Sequence, residues 1–309
     1  MKILITGSRG FVGGSMGRFA VAAGHDVLGI ARSSQPEADW SGQYVQADVM
    51  QAPLAEILSE FAPDVVLHGA GSASVGASFH TPLEDFRAAV MTWANTLESI
   101  RQSGIRPVIL FPSSAAVYGS PVVLPVAEEA AVAPVSPYGF HKAACELVAQ
   151  EYAECFGLNI VVCRLFSLFG VRQRRLLVWE LFEQLRGPEG TVWLQGTGRE
   201  SRDYLPVDDV AAVMLQVAAH PDYTEPTGTL RVLNLGSGIE TSVLALAEEM
   251  RAQMGADKAV ACRGQAQSGN PVRWVADTSR LRALLPEWQP SPLPSSLGAC
   301  LRSWQERSK

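Results

Sequence analysis

Tyr138 and Lys142 stand four residues apart in Pro137-Tyr138-Gly139-Phe140-His141-Lys142, so a helix through them sets a phenol and an ammonium on one face. In water a phenol gives up its proton only near pH 10, too high for a base at neutrality. A cation held beside it favours the phenolate, which can then take an alcohol's proton while hydride leaves the carbon. In the reverse direction the same phenol is the acid. Upstream, Ser113-Ser114-Ala115-Ala116-Val117-Tyr118-Gly119 follows an apolar run, and Ser114 would donate a hydrogen bond to the reacting oxygen and hold it in line. A Tyr and a Lys at this spacing also occur in many helices for packing alone, so the weight falls on what surrounds them. His141, a helical neighbour of the pair, reads as a surface or supporting residue without a role of its own, and Tyr118 as packing or pocket lining.

Hydride chemistry needs a carrier. Thr6-Gly7-Ser8-Arg9-Gly10-Phe11-Val12-Gly13 spaces three glycines as G-x-x-G-x-x-G directly after a first apolar run. A tight turn, a close backbone approach and the free N–H groups of a helix start together hold a pyrophosphate. A cofactor lacking a 2′-phosphate is usually held by an acid at the end of the second strand. Here that strand ends Gly29-Ile30-Ala31-Arg32-Ser33-Ser34. Arg32 offers a fork for a 2′-phosphate and Ser33 or Ser34 further donors, which favours NADP(H), with NAD(H) the alternative; a solvated surface Arg is the plainer reading of Arg32. Asp48 is placed to accept from an adenine amino group, or simply to cap the helix expected near 52.

The elements that must position these groups follow from apolar runs alternating with helical periodicity. Residues 2–6 and 27–31 are apolar runs, 64–68 and 108–112 read as buried strands, and 44–47 and 160–164 as further strands. Residues 13–23, 52–61, 83–103 and 138–156 read as helices, the last started by Pro137. This is the pattern of a parallel sheet covered on both faces, an α/β Rossmann fold. After Gly170 the pattern becomes irregular, with Arg172, Arg174 and Arg175, a helix-like 176–186, and a tail rich in Pro and Trp, Pro271 included. It marks a smaller C-terminal α/β lobe from about residue 166.

The bulk composition excludes other classes. The 309 residues are 47% hydrophobic and carry a net charge of −6, which argues against a nucleic-acid or membrane-surface binder. No run approaches the roughly 20 apolar residues of a bilayer span, and the opening Met-Lys-Ile-Leu-Ile reads as a first strand rather than a leader. Cysteines 145, 155, 163, 262 and 300 are odd in number and unpatterned. They suit buried thiols in a reducing, cytoplasmic compartment. No metal site is expected.

The chain resembles the extended short-chain dehydrogenase/reductase family, in its nucleotide-sugar epimerase/dehydratase branch. The likeness runs nearly end to end. It rests on the glycine motif, Asp48-Val49, His68-Gly69-Ala70, the Ser113–Gly119 stretch, Ser136-Pro137-Tyr138-x-x-x-Lys142 and Arg164-Leu165-Phe166-Ser167-x-Phe169-Gly170. Further matches are Gly196-x-Gly198-x-x-x-Arg202-Asp203-Tyr204-x-x-Val207-x-Asp209-Val210, Asn234-x-Gly236-Ser237-Gly238 and Ala276-Asp277-Thr278-Ser279. The resemblance implies a Rossmann domain over 1–165 with a segment returning at about 203–236, and a substrate lobe over 166–202 and 237–309. It implies cofactor contacts from Gly7 to Gly13 and at Val49, Ala70 and Leu165 besides those above. It also implies a nucleotide-diphosphate sugar met by Ser72, Ser114, Tyr138, Ser167, Arg202 and Arg273, and a homodimer formed through two helices per subunit.

The departures narrow the reaction. Ala31 stands where the acid is usual, Ser167 where Asn is frequent, and Thr92 where the fourth-helix Asn is expected. Ala115 and Ala116 replace the acids that sugar dehydratases carry after the catalytic Ser or Thr, and alanines move no protons. Ser, Tyr and Lys alone can support net reduction of a 4-keto sugar or reversible oxidation at C4, as in epimerisation. Arg32 puts reduction by NADPH first and epimerisation second. A dinucleotide sensor without chemistry, or a reductase of small lipophilic ketones, stands further back.

Overall fold

The computed structural model describes residues 1–224, 230–264 and 272–307; Pro271 of the tail lies outside them. Six strands alternate with helices in the first half: β1 (Lys2–Thr6), β2 (Asp26–Ala31), β3 (Gln43–Gln46), β4 (Val65–His68), β5 (Val108–Ser114) and β6 (Asn159–Leu165). The second half adds β7 (Ser167–Phe169), β8 (Thr191–Leu194), β9 (Ser201–Pro206), β10 (Arg231–Leu235), β11 (Glu240–Ser242) and β12 (Ala259–Cys262). Seven of these form one parallel sheet in the order β10-β6-β5-β4-β1-β2-β3. The order reverses between β1 and β4, and in an open sheet of this kind ligands bind at the carboxyl ends of the strands flanking that point.

Both faces of the sheet are covered, so its central strands are apolar throughout. Helices Phe11–Ala22 and Val207–Ala219 pack on one face against Ile3, Ile5, Val65, Leu110 and Val161. Leu54–Phe61, Thr92–Ser103 and Pro137–Phe156 pack on the other against Leu4, Val66, Ile109 and Ile160. The helix expected over 83–103 is continuous but changes winding: Pro82–Phe86 is α, Arg87–Met91 is a π turn, and Thr92–Ser103 is α again. Thr92 spends its hydroxyl inside that helix, on the Ala88 carbonyl at 2.5 Å. It therefore does not serve as the active-site contact expected of the Asn it replaces.

The remaining strands form a three-stranded sheet, β11-β9-β7, and the pair β12-β8. Helices Leu176–Arg186, Val243–Met254 and Leu293–Arg307 close a separate core around Phe169, Phe182 and Trp304. The three-stranded sheet is tied to the turn after β10 and to the tail by Asp203 of β9, which is fully buried. Its carboxylate accepts from the Ser237, Gly238 and Ala276 amides and the Ser237 hydroxyl at 2.6–3.1 Å. Burial pushes its pKa up and these hydrogen bonds pull it back. Among the cysteines, 145, 163 and 300 are buried, but Cys155 and Cys262 are exposed, so burial does not account for all five. Among the described residues no helix is long and apolar enough to cross a membrane.

Candidate active site

The helix that carries Tyr138 and Lys142 is started by its own sequence. Ser136 caps it, its hydroxyl accepting from the Gly139 amide at 3.2 Å, and Pro137 fills the first position. The Tyr138 amide donates to the Ser78 hydroxyl at 3.0 Å, and Ser78 in turn donates to the Val75 carbonyl at 2.7 Å. The phenol's backbone is thus fixed from a second segment. Lys142 lies one turn on, its ammonium donating to the Pro112 carbonyl at 2.8 Å and sitting 5.9 Å from the Tyr138 ring centre and 4.8 Å from that of Phe111. Ser114 ends β5, and its oxygen accepts from the Ala116 amide at 3.2 Å, leaving its hydrogen free to donate. Ser114 and Leu165 are register partners at the carboxyl ends of β5 and β6. Ala115 and Ala116 are both buried.

His68, at the end of β4, lies in the wall behind these groups. Its ring is buried against Trp93, with centroids 4.9 Å apart, and Nδ1 faces the Thr6 hydroxyl at 3.2 Å. Burial, and then the Lys142 charge, push its pKa down from 6.5 to about 3. The wall behind the pair is therefore a neutral imidazole.

At the other end of the crevice the glycine turn fits a dinucleotide. Gly7 has φ +67°, and a Cβ there would lie 2.4 Å from the Gly69 carbonyl; one at Gly13 would lie 2.5 Å from the Gly7 carbonyl. Among the described residues no side chain caps the helix Phe11–Ala22, and its first turn holds no acid. Its leading N–H groups can therefore receive a phosphate. Ser8 was expected among the contacts, but it is turned inward: its hydroxyl is buried without a partner in the protein, close behind Gly29. Arg9 is engaged rather than open, with Nε and Nη2 donating to Glu37 at 3.1 and 2.9 Å. The same Glu37 and Asp39 pair with Arg172 at 2.5 and 2.7 Å, and Asp39 reaches Arg18 at 3.7 Å. Arg172 is thus held by two carboxylates from the loop after β2. Arg32 is exposed at the end of β2, and Ser33 uses its carbonyl to accept from Tyr44 at 2.6 Å. Asp48 caps its own turn, accepting from the Met50 amide at 2.9 Å. Val49 offers its carbonyl to Asn95 at 2.5 Å, and the Ala70 amide reaches Thr6 at 3.3 Å.

The candidate substrate arginines lie on adjoining strands, since Ser201 bridges to Arg273 beside Arg202. The Arg202 guanidinium stacks 5.3 Å from the Trp274 ring centre and donates to the Ser201 carbonyl at 2.7 Å. Burial lowers its pKa from the ordinary value, a desolvation that a bound anion would relieve. Arg273 is exposed and held bidentately by Glu240 at 2.6 Å, so a diphosphate would have to share or displace that carboxylate. Ser167 is half-buried in β7, in register with Tyr204. Tyr118 is not pocket lining. Its hydroxyl donates to Asn234 at 2.6 Å and accepts from Arg164 at 2.9 Å within a buried network that Glu146 completes.

Sequence reading missed Ser78, Glu37, Asp39 and Asp85. Asp85 is buried and receives both the His141 ring at 2.5 Å and the Ser72 hydroxyl, so His141 is not idle. Little local marks these residues, because the side-chain partners of Glu37, Asp39 and Asp85 lie 13 to 135 positions away.

A doubly wound sheet carrying a glycine-turn dinucleotide cradle and a Ser/Tyr/Lys set at the switch point defines a short-chain dehydrogenase type of enzyme. Residues 3–236 match the NAD dependent epimerase/dehydratase family, and the chain belongs to it. It is similar to UDP-glucose 4-epimerase of Mycolicibacterium smegmatis, at 30% identity over 94% of each chain. UDP-glucose 4-epimerase of Thermotoga maritima, solved with UDP-glucose, superposes with a TM-score of 0.88 at 26% identity over 100% of each chain. MoeE5, solved with UDP-glucuronic acid and NAD, gives a TM-score of 0.87 at 25% identity, also over 100% of each.

Proposed function

We propose that this enzyme is an NAD-dependent nucleotide-sugar 4-epimerase acting on a UDP-hexose. This reverses the order expected from the sequence, where reduction of a 4-keto sugar by NADPH led. The observation that carries the reading is Tyr138 backed by Lys142 on one helix, with buried alanines at 115 and 116 where dehydratases keep acids. Whole-length similarity to UDP-glucose 4-epimerases supports it. The NAD bound in MoeE5 supports NAD over NADP. Glu37 and Asp39 occupy Arg9 and Arg172 beside the glycine turn, cations that would otherwise be open to a 2′-phosphate.

Gly7, Gly10, Phe11, Val12 and Gly13 would hold the pyrophosphate, and bound NAD supplies a hydride acceptor that can give the hydride back. The chain's own residues manage the proton. Tyr138 takes it from the sugar hydroxyl and returns it when the carbon is reduced again. Lys142, fixed on the Pro112 carbonyl, holds its ammonium one helical turn from the phenol during that interval. Ser114, its lone pair occupied by the Ala116 amide, donates to the reacting oxygen. Arg202 would meet the diphosphate, with Arg273 once Glu240 shares it.

Incubation with UDP-glucose and NAD should yield UDP-galactose without net change at 340 nm. Stoichiometric oxidation of NADPH by a 4-keto nucleotide sugar, with no epimerised product, would overturn the reading. A homodimer is part of the proposal. Leu83, Met91, Phe140 and Leu147 are 60, 45, 58 and 67% exposed on the helices of 82–103 and Pro137–Phe156, which pack side by side through the Trp93 indole on the Cys145 carbonyl at 3.0 Å.

A further inference from the structure

Three segments far apart in sequence meet on one carboxylate beside the catalytic helix. Asp85, in the short helix Pro82–Phe86, has a side chain only 3% exposed. One of its oxygens receives Ser72, from the loop that follows β4, and the other receives the His141 Nδ1 at 2.5 Å. His141 stands between Tyr138 and Lys142 on their helix, and Phe86 packs edge-on against its ring with centroids 5.5 Å apart. Neither the glycine cradle nor the Ser114, Tyr138 and Lys142 set uses this cluster.

Its hydrogen-bond polarity is fixed. An ionised carboxylate only accepts, so both partners must donate. The Ser72 hydroxyl has a single hydrogen, and that hydrogen is committed to Asp85. The half-buried Ser72, in the loop at the carboxyl end of β4, is therefore left with lone pairs alone for any further partner. Such a group binds a donor, such as a sugar hydroxyl, and repels a carbonyl or carboxylate oxygen placed at the same point. His141 holds the second carboxylate oxygen and so prevents Asp85 from rotating away.

We propose that Asp85 and His141 are positioning residues that lock Ser72 as an acceptor-only contact for a hydroxyl of the bound sugar, and that this lock discriminates hydroxyl-bearing hexoses from those carrying a carboxylate there. The proposal rests on the nucleotide-sugar reading above.

The test compares wild type, Ser72→Ala, Ser72→Thr and Asp85→Asn on UDP-glucose and UDP-glucuronic acid, with kcat and KM separated and thermal melts alongside. Ser72→Ala should lose about tenfold in kcat/KM on UDP-glucose, and Ser72→Thr should restore it to within about threefold. In Asp85→Asn the oxygen stays with the His141 N–H, so the amide nitrogen faces Ser72 and turns its hydrogen outward. Ser72 then becomes a donor. That variant should lose on UDP-glucose as much as Ser72→Ala while gaining relative to wild type on UDP-glucuronic acid, which loss of fold cannot mimic. Ser72→Ala within twofold of wild type, or an unchanged sugar preference in a folded Asp85→Asn, overturns the proposal. If Asp85→Asn does not fold, the Ser72→Ala and Ser72→Thr pair decides. A wild-type enzyme that turns over no nucleotide sugar defeats the functional reading and this inference with it, whereas an active wild type with an unaffected Ser72→Ala defeats the inference alone.

Discussion

Removing one oxygen from Tyr138 leaves the helix, its Ser136 cap and the Lys142 contact with Pro112 in place. Tyr138→Phe should therefore lower kcat by about 10²–10⁴-fold while UDP-sugar and NAD still bind. Isothermal titration beside a turnover assay checks both halves. His68 makes a different prediction. Its pKa falls from 6.5 in the open chain to about 3 in the fold, chiefly by burial. Above pH 6.5 it is neutral in both states and costs nothing. As the pH drops below that value the unfolded chain takes up a proton that the folded one refuses, so stability declines by up to about 1.4 kcal/mol per pH unit. Urea melts at pH 7 and pH 5 should show the decline, and His68→Gln should flatten it. At this scale the placing of Tyr138 and Lys142 on one helix was readable because their spacing of four is local. Ser8 and His141 were misjudged because burial and a partner 56 positions away decide their roles.

The elements were more legible than the contacts between them. Buried parallel strands declare themselves as unbroken apolar runs, and the five such strands of the first half lie within two residues of where the pattern puts them; β3, a half-exposed edge strand, carries a weaker signal. The π turn at Arg87–Met91 has no such signal, since winding depends on what packs against the helix. Nor does the link between β5, β6 and the catalytic helix. There Arg164 and Glu146, with side chains 6 and 8% exposed, pair at 2.7 Å, and Ser113 donates to the same carboxylate at 2.5 Å. Glu146→Gln leaves a buried cation without its counter-charge and should cost about 3–5 kcal/mol, read from a shift in urea midpoint. Replacing Arg164 and Glu146 together by leucine should cost less than that single change.

For the whole molecule, the sheet order and the separate second core follow from alternating elements and then irregular ones, yet the pairing of β9 with β7 and β11 depends on contacts that no local pattern encodes. The exposed leucines of the helices beside the active site make the assembly testable. Leu83→Glu with Leu147→Glu should convert a dimer to monomers in light scattering without unfolding either, since both side chains are already in solvent. The Glu37 and Asp39 pairs have a kinetic consequence. Glu37 joins Arg9 of the glycine turn to Arg172, which follows β7, and Asp39 adds a second hold on Arg172. With the dinucleotide on the glycine turn as proposed, a coenzyme leaving past the turn would part these bonds, each worth about 1 kcal/mol or less because they are partly open to solvent. Residence then becomes a matter of ionic strength. At about 1 M salt, where screening acts within about 3 Å, escape should quicken, as it should in Arg172→Ala, and exchange of labelled NAD between enzyme and medium should speed up in both.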